Sequence, residues 1–378
     1  MKKLGASILE AFEELDDPRS RVCPHPLDEI LLLALCAIIS GAESWVAVSR
    51  WGNLKIAWLR ETLPYANGIP THDTLGRVFS VLNARQFESC FIRWMQGICP
   101  NLEGQHIAID GKTVRGSHAG KSSAIHLVSA WSSKLGLTLG QTKTAKKSNE
   151  ITAIPDLIDG MDIRGSIVTI DAMGCQHAIA DKIIAHEAHY VFGVKDNQAR
   201  LAEAIRLLFD AQTSENLDRQ RVFLQCSHTE KDHGRIETRR CVVTGDVAWL
   251  KEQGQNWTGL NSIVMVESTR EMIGRNNTGK PSTERRYYIS SLAPDAELLN
   301  RTIRAHWGIE NKLHWVLDVA FREDDSRVRC GEAPQNFAIL RRIALNLLKQ
   351  ETTAKVGINT KRLMAGWDMN YLAKILGL

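Results

Sequence analysis

The chain of 378 residues predicts an α/β protein with a mixed sheet and flanking helices, and three observations predict it. Residues 8–99 carry helical periodicity and no strand pattern. Residues 106–195 alternate short apolar runs with helical segments in the order β-β-β-α-β-α-β. Residues 200–290 add further β-like runs before helical periodicity returns at Asp295. Three consecutive strands followed by alternating units imply a mixed sheet with helices on its faces. The expected organisation is a helical N-terminal domain over 1–100, a core from 101–199 and 292–350, a β-rich insertion over 200–291, and a helical tail over 351–378.

Within the first segment, LDEILLLALCAIIS (Leu27–Ser40) is apolar on every side, the pattern of a buried helix, and Gly41 closes it. Trp45–Leu59 follows at helical spacing. Thr71 or Asp73 then caps a short helix with Leu75, Val78, Phe79 and Leu82 on one stripe. With Arg77 and Arg85 exposed it fits a groove-reading element, although an ordinary packed helix is the better explanation of this stretch alone. HIAID (106–110), HLVSAWS (126–132), LTLGQTKT (137–144), IVTID (167–171) and HYVFGVK (189–195) are five strands. Asn149–Ile158 is helical despite Pro155, and Gln176–His186 is a second helix between strands. In 200–290 a helix near Leu201–Phe209 precedes the β-like RVFLQCSH, RIETRRCVV, SIVMVES and RRYYISSL, with GRNNTGKPS (274–282) as a mobile loop. Asp295 caps a helix running through Asp318, and Gln335–Lys349 turns Phe337, Leu340, Ile343, Ala344, Leu347 and Leu348 inward.

Composition narrows the class. Hydrophobic residues make up 44% and charged residues 24%, which excludes a disordered chain or a fibrous repeat. No apolar core follows Met1–Lys3 before Glu10, and the longest apolar run, Ile30–Ile39, is roughly half a bilayer span. The expectation is a cytoplasmic protein without a membrane partner. The eight cysteines contain no C-x-x-C pair and no zinc spacing, and read as free buried thiols. The formal charge of +4 is uneven: residues 301–378 hold 13 Lys and Arg against 8 Asp and Glu. Such an excess points weakly to a polyanionic partner.

Two acids stand where a site is built. Asp110 and Asp171 each end a strongly apolar strand, IAID and VTID, and so sit at the sheet's rim rather than in its interior. Either alone is more often a cap or turn former. Two hard-oxygen ligands from different strands are, however, what Mg²⁺ or Mn²⁺ requires. Lys112 and Arg115 beside Asp110 suit a polyanionic substrate, and Gly111 and Gly116 let backbone approach it. The run R-G-S-H-A-G-K-S (115–122) lacks the first glycine of a phosphate-binding loop and no helix follows it. In HWGIENKLHW (306–315), 100° per residue puts His306, Glu310, His314 and Leu317 on one face. Its spacing matches no zinc motif, and Glu310 is better explained as a third carboxylate at the rim. Glu323–Asp325 looks like a solvated acidic loop.

The strings DGKTVRGS (110–117), VTIDAMGCQ (168–176), YVFGVKDNQ (190–198), HGRIETR (233–239) and HWGIENKLHWVLDVAFREDDSR (306–327) resemble the H-repeat-associated insertion-sequence transposases found also within Rhs elements. The resemblance spans nearly the whole chain. It implies a ribonuclease H-like core whose Asp-Asp-Glu triad is Asp110, Asp171 and Glu310, using two Mg²⁺ ions, with Mn²⁺ able to substitute. It implies cleavage at element ends and strand transfer through a 3′-hydroxyl. The partners would be double-stranded DNA, at the element's terminal repeats and at the target, with nucleoid association when bound and a homodimer in the DNA complex. The helical 1–100 segment would then bind DNA ends.

Broader relatives carry Tyr, Arg and Lys around the last acid, and here those positions hold Ile303, His306 and Leu317. Arg304 or Lys312 would substitute. Near the fifth strand the family's K-G-N-Q appears as Lys195-Asp196-Asn197-Gln198, with Lys195 and Asn197 as expected DNA contacts. Lys112, Arg115 and the C-terminal Arg341, Arg342 and Lys349 are expected to hold phosphates. A metal-dependent nuclease of the same fold that never rejoins strands, or a DNA-binding relic, would carry the same motifs.

Overall fold

The structure is a computed structural model describing residues 4–19, 23–118, 123–144, 150–212, 222–232, 234–273 and 281–378. The expected loop at 274–282 lies outside the described residues except for its last two, and residues 119–122, Asn149, Arg221 and His233 of the quoted segments lie outside them too.

Five helices come first: α1 (Leu4–Phe12), α2 (Leu27–Ile39), α3 (Trp45–Leu59), α4 (His72–Val81) and α5 (Ala84–Ile98). Strands β1 (His106–Thr113), β2 (His126–Ser132) and β3 (Leu137–Thr144) follow, then α6 (Glu150–Asp159), β4 (Ile167–Ile170), α7 (His177–Ala185), β5 (His189–Val194) and α8 (Ala199–Gln212). Next come β6 (Leu224–Asp232), β7 (Arg235–Thr244), α9 (Ala248–Glu252), β8 (Ser262–Met272) and β9 (Ser282–Ser290). The chain ends with α10 (Ala296–His306), α11 (Trp315–Phe321), α12 (Ala333–Gln350), α13 (Ile358–Trp367) and α14 (Met369–Leu376).

The strands form one nine-stranded sheet in the order β3-β2-β1-β4-β5-β9-β8-β7-β6. β1, β4 and β5 are parallel, β2 and β3 antiparallel, and β9 to β6 run antiparallel beyond β5. The first five strands, with α6 and α7 between them, form a mixed sheet in the expected order. The insertion is not a separate body of strands: β9 pairs with β5 and the other three continue the same sheet.

By packing, the chain divides into two compact units, and the division differs from the segments expected from sequence. One unit combines residues 1–101, 111–161 and 309–378; the other combines 102–110 and 162–308. Strand β1 therefore changes unit between Asp110 and Gly111.

In the first unit, α2 is buried from Glu29 to Ile39, which is why its sequence shows no polar face. α12 packs against α2, α4, α5 and β3, and its six expected inward residues are all buried. The Thr71 hydroxyl, not Asp73, caps α4 by accepting from Thr74 N at 3.3 Å. In the second unit, α10 is capped by Asp295, whose carboxylate accepts from Leu298 N at 3.0 Å. Its Ala296, Leu299 and Ile303 pack on Ile167 and on the β7 and β8 valines. That packing decides which face of the sheet α10 covers. Among the described residues no helix is long and apolar enough to cross a membrane. Cys36, Cys90, Cys175 and Cys241 are buried free thiols, whereas Cys330 is exposed, contrary to the expectation for it.

Candidate active site

Parallel pairing brings the two strand-end acids level. β1 and β4 run in register from His106 opposite Ile167 to Ile109 opposite Ile170, so Asp110 on β1 and Asp171, the residue directly after β4, come next. Neighbouring strands lie about 5 Å apart. Side chains alternate, so His106, Ala108 and Asp110 share one face of β1, and Ile167 and Thr169 share that face of β4. Asp110 is half-buried and Asp171 exposed.

The turn after Asp171 is held on three sides. Asp171 Oδ1 accepts from Met173 N at 3.0 Å, opening a 3₁₀ turn over Ala172–Gly174. Asn197 Nδ2 donates to Ala172 O at 2.5 Å, and Gln198 Nε2 to Cys175 O at 2.9 Å. A Cβ on Gly193 would sit 3.3 Å from Ala172 N, so glycine lets β5 pass close beneath the turn. Beside Asp171 opens a cleft of about 480 Å³ that Lys195, Arg206, Arg286, His306 and Trp307 also line. The Arg286 guanidinium lies 5.0 Å from the Trp307 ring centre, and Trp307 is 48% exposed.

The third acid stands in the other unit. Residues Glu310–His314 form a π-helical turn with α11 directly after it. Single π-turns inside helices occur often at functional sites. The i→i+5 bonding departs from the 100° step on which the expected face rested, yet Glu310 still meets His314, whose Nδ1 lies 2.9 Å from Glu310 Oε2. Glu310 is exposed and His314 buried. The hydrogen bond from His314 holds the Glu310 carboxyl below its ordinary range, and Lys112 adds to this. Glu310 is thus ionised at neutral pH.

Comparison with known proteins places this geometry. Residues 101–347 match the family described as Transposase DDE domain, and residues 9–95 match the associated N-terminal family, DDE_Tnp_1-associated. The chain belongs to the DDE transposase family. In Escherichia coli K12 the "H repeat-associated putative transposase YhhI" is 41% identical over 354 residues, covering 93% of this chain and 92% of the relative. "Putative transposase YncI" of Escherichia coli O157:H7 is 39% identical over 373 residues, covering 98% and 94%. These relatives agree with the H-repeat resemblance of the motifs. A solved structure described as a piggyBac transposase synaptic complex with hairpin DNA aligns at TM-score 0.42 and 9% identity, over 100% of this chain and 79% of that one.

Several basic residues expected on this transposase's DNA face are elsewhere. Lys112 is 8% exposed, and its ammonium contacts Asp318 at 2.7 Å and Asp324 at 2.8 Å. Arg341 and Arg342 are 2% and 0% exposed; Arg342 pairs with Glu323 at 2.8 Å, and Arg341 stacks on Phe337. Lys349 donates to Gly136 O and Lys312 O, and burial pushes its pKa down to about 8. These four are structural cations with acids, carbonyls or a ring as partners, so the expectation that they grip phosphate fails. The acidic loop fails with it: Glu323 is 0% exposed and neutralises Arg342. Asn197 spends its amide on the Asp171 turn. Arg304 pairs with Glu230 at 3.0 Å. Arg77, Arg115, Lys195 and Lys312 are exposed.

The glycines beside Asp110 also serve packing. A Cβ on Gly111 would collide with Glu150 and with His126, and on Gly116 it would lie 2.5 Å from Ser326 O. Sequence reasoning missed Arg206, Arg286 and Trp307 in the cleft, and also His106 and Thr169 behind it. The last two had a signal: H-x-A-x-D and T-x-D put each on the same strand face as its aspartate.

Proposed function

We propose that this transposase cleaves double-stranded DNA at the ends of its element and joins the freed 3′-hydroxyl to target DNA, with Asp110, Asp171 and Glu310 as metal ligands. What supports this reading most is that β1 and β4 pair in parallel right up to the residues before Asp110 and Asp171, which brings these two acids to neighbouring positions at the sheet's rim. The donor set fits: three carboxylates supply hard oxygens of the kind that hold Mg²⁺ or Mn²⁺. Two such ions would activate the attacking water or 3′-hydroxyl and stabilise the leaving 3′-oxygen.

The chain's own residues do the positioning. Asp171 is steered by its bond from Met173 N, and Asn197 locks the backbone that carries it. His314 keeps Glu310 ionised and oriented. Lys195, Arg206 and Arg286 line the Asp171 cleft; Arg206 pairs with Glu203 and Arg286 with Glu284, which line it too, and exposed Lys195 is the cation this reading offers to a backbone phosphate. Arg77 and Arg115 extend the contact, and the active complex is a homodimer on paired ends.

Supercoiled plasmid with Mg²⁺ or Mn²⁺ tests this, with EDTA as control. Asp171→Asn, Asp110→Asn and Glu310→Gln should each abolish nicking while duplex affinity stays within about threefold. Nicking at the wild-type rate by Asp171→Asn refutes the assignment. Nicking without joining, in an assay supplying a pre-cut element end, identifies the non-transposing nuclease instead. No nicking by the wild type on plasmid carrying its own element ends identifies the relic.

A further inference from the structure

A thiol, an imidazole and a carboxylate converge at the last strand of the sheet, inside the second unit. Cys226 and His228 stand two apart on β6, so both side chains leave the same face of that strand. Cys226 packs there against α10, whose first turn carries Glu297. One ligand atom of each of the three residues lies within 4.8 Å of the other two, and His228 Nε2 is 2.8 Å from Glu297 Oε2. We propose that Cys226, His228 and Glu297 bind one Zn²⁺ ion and so fasten the start of α10 to the edge strand of the sheet. None of these residues belongs to the Asp110, Asp171 and Glu310 assignment.

The donor set selects the ion. Magnesium, calcium and manganese suit carboxylate, carbonyl and water oxygens, not a thiolate. Zn²⁺ takes sulfur, nitrogen and carboxylate oxygen in one shell, and three protein ligands leave its fourth position to water. Around a tetrahedral Zn²⁺, with sulfur at about 2.3 Å and nitrogen or oxygen at about 2.0–2.1 Å, ligand atoms stand roughly 3.3–3.6 Å apart. From the observed separations, His228 and Glu297 part by about half an ångström and the sulfur closes by about 1.3 Å at most. Binding sends the thiol proton to solvent, because the thiolate is the ligand.

The surroundings favour an ion over a chance surface pair. An exposed His–Glu pair by itself contributes little, and nothing about it calls for a thiol. Cys226 Sγ–H donates to Ala296 O at 3.3 Å, a contact that metal binding gives up, and Asn300 Nδ2 donates to the sulfur at 3.6 Å. Asn300 is 4% exposed, and its Oδ1 has no hydrogen-bond partner among the described residues. A buried amide that gives its N–H to sulfur while its own oxygen goes unmatched suits a thiolate acceptor better than a thiol. His228 and Glu297 are each more than half exposed, which gives the ion a way in. Arg239, opposite His228 on β7, and Arg304 on α10 pair with acids of their own, Glu237 and Glu230, at 3.0 Å. No cysteine spacing announces the site, because Glu297 comes 69 positions after His228.

Cobalt reports the site directly. A thiolate bound to Co²⁺ gives a sulfur-to-metal charge-transfer band in the near ultraviolet, which carboxylate and imidazole ligands do not. The full chain should show this band with one equivalent of Co²⁺, and one equivalent of Zn²⁺ should bleach it. Cys226→Ser should lose the band, and Cys330→Ser, which changes an exposed thiol of the other unit, should keep it. His228→Gln and Glu297→Gln alter exposed side chains and leave the fold intact. Each should weaken Zn²⁺ binding by about tenfold or more in competition with a chromogenic chelator. No band in the wild type, or an equal band in Cys226→Ser, overturns the proposal. Unchanged Zn²⁺ affinity in either His228→Gln or Glu297→Gln overturns it as well.

Discussion

Replacing Glu323 by Gln removes one negative charge from the centre of a buried cluster and leaves its cations in place. Glu323 is 0% exposed; its Oε1 accepts from Arg342 at 2.8 Å, and Lys112 Nζ lies 3.9 Å from its Oε2. Lys112 keeps Asp318 and Asp324 in the variant, but buried Arg342 and Arg341 lose their nearest counter-charge. Breaking a buried pair on one side costs about 3–5 kcal/mol. The amide oxygen of Gln still accepts from Arg342 and recovers about 1 kcal/mol. The expected loss is roughly 2–4 kcal/mol. At about 2–4 °C per kcal/mol, Tm falls by roughly 4–16 °C, read by calorimetry or urea unfolding. Asp325→Asn, an exposed neighbour paired with Arg322, should change stability by less than about 0.5 kcal/mol.

The pH dependence carries the same sign. Burial works to raise the Glu323 pKa, but Arg342, Arg341 and Lys112 together overcome it and hold the carboxyl below its ordinary value. A depressed carboxylate contributes stability above its unfolded pKa of about 4.3, and that contribution is lost as pH falls through the folded value. The gap between wild type and Glu323→Gln should therefore close below about pH 4. Equal Tm values for the two proteins at pH 7 would refute an ionised, buried Glu323.

Three further outcomes follow from neighbouring features. Gly116→Ala sets a methyl 2.5 Å from Ser326 O and 2.6 Å from Asp324 O, both backbone atoms, so urea unfolding should show a loss of about 1–3 kcal/mol. Glu88 is 6% exposed, and burial pushes its pKa up to about 7 against donation from Gln335 and Thr142. Its contribution is complete below the unfolded pKa and disappears as pH rises through 7. Glu88→Gln should accordingly be the more stable protein at pH 8, by up to roughly 3 kcal/mol, with the advantage vanishing by pH 5 in a Tm-versus-pH series. Finally, Arg115→Ala should lower the slope of log affinity against log salt by about 1, because an exposed phosphate contact releases a counterion. Arg341→Met, which alters a buried residue, should leave that slope unchanged in the same titration.

Local pattern carried most of the elements. Trp45–Leu59, His126–Ser132 and Leu137–Thr144 have the bounds that periodicity and turn residues indicate. Strand β1 runs three residues past Asp110 because Gly111, a weak strand former, makes room for the His126–Glu150 pair, and that reason lies well along the chain. Two of the acids were legible because an apolar run must end before a carboxylate. The basic residues were not. A lysine next to an acid in sequence looks free, and the partners of Lys112 lie some 200 positions away at Asp318 and Asp324. The π-turn at Glu310–His314 was illegible for another reason: any fixed angular step assumes the α geometry that the turn abandons.

The pairing of β9 with β5 bears on how such a gene can be shortened. Val191–Val194 match Ser290–Tyr287 residue for residue, so the last strand of the inserted segment seals the edge that β5 would otherwise leave open. A trimmed gene that joins residue 199 to residue 292 would strip that seal. It would expose a row of amide and carbonyl groups beside Tyr190 and Phe192, a template for association between chains. The segment is therefore not a removable cassette. Compact derivatives of this transposase must retain β9 or replace it with another strand, and natural truncations ending before Ser282 should be found in inclusion bodies rather than on DNA.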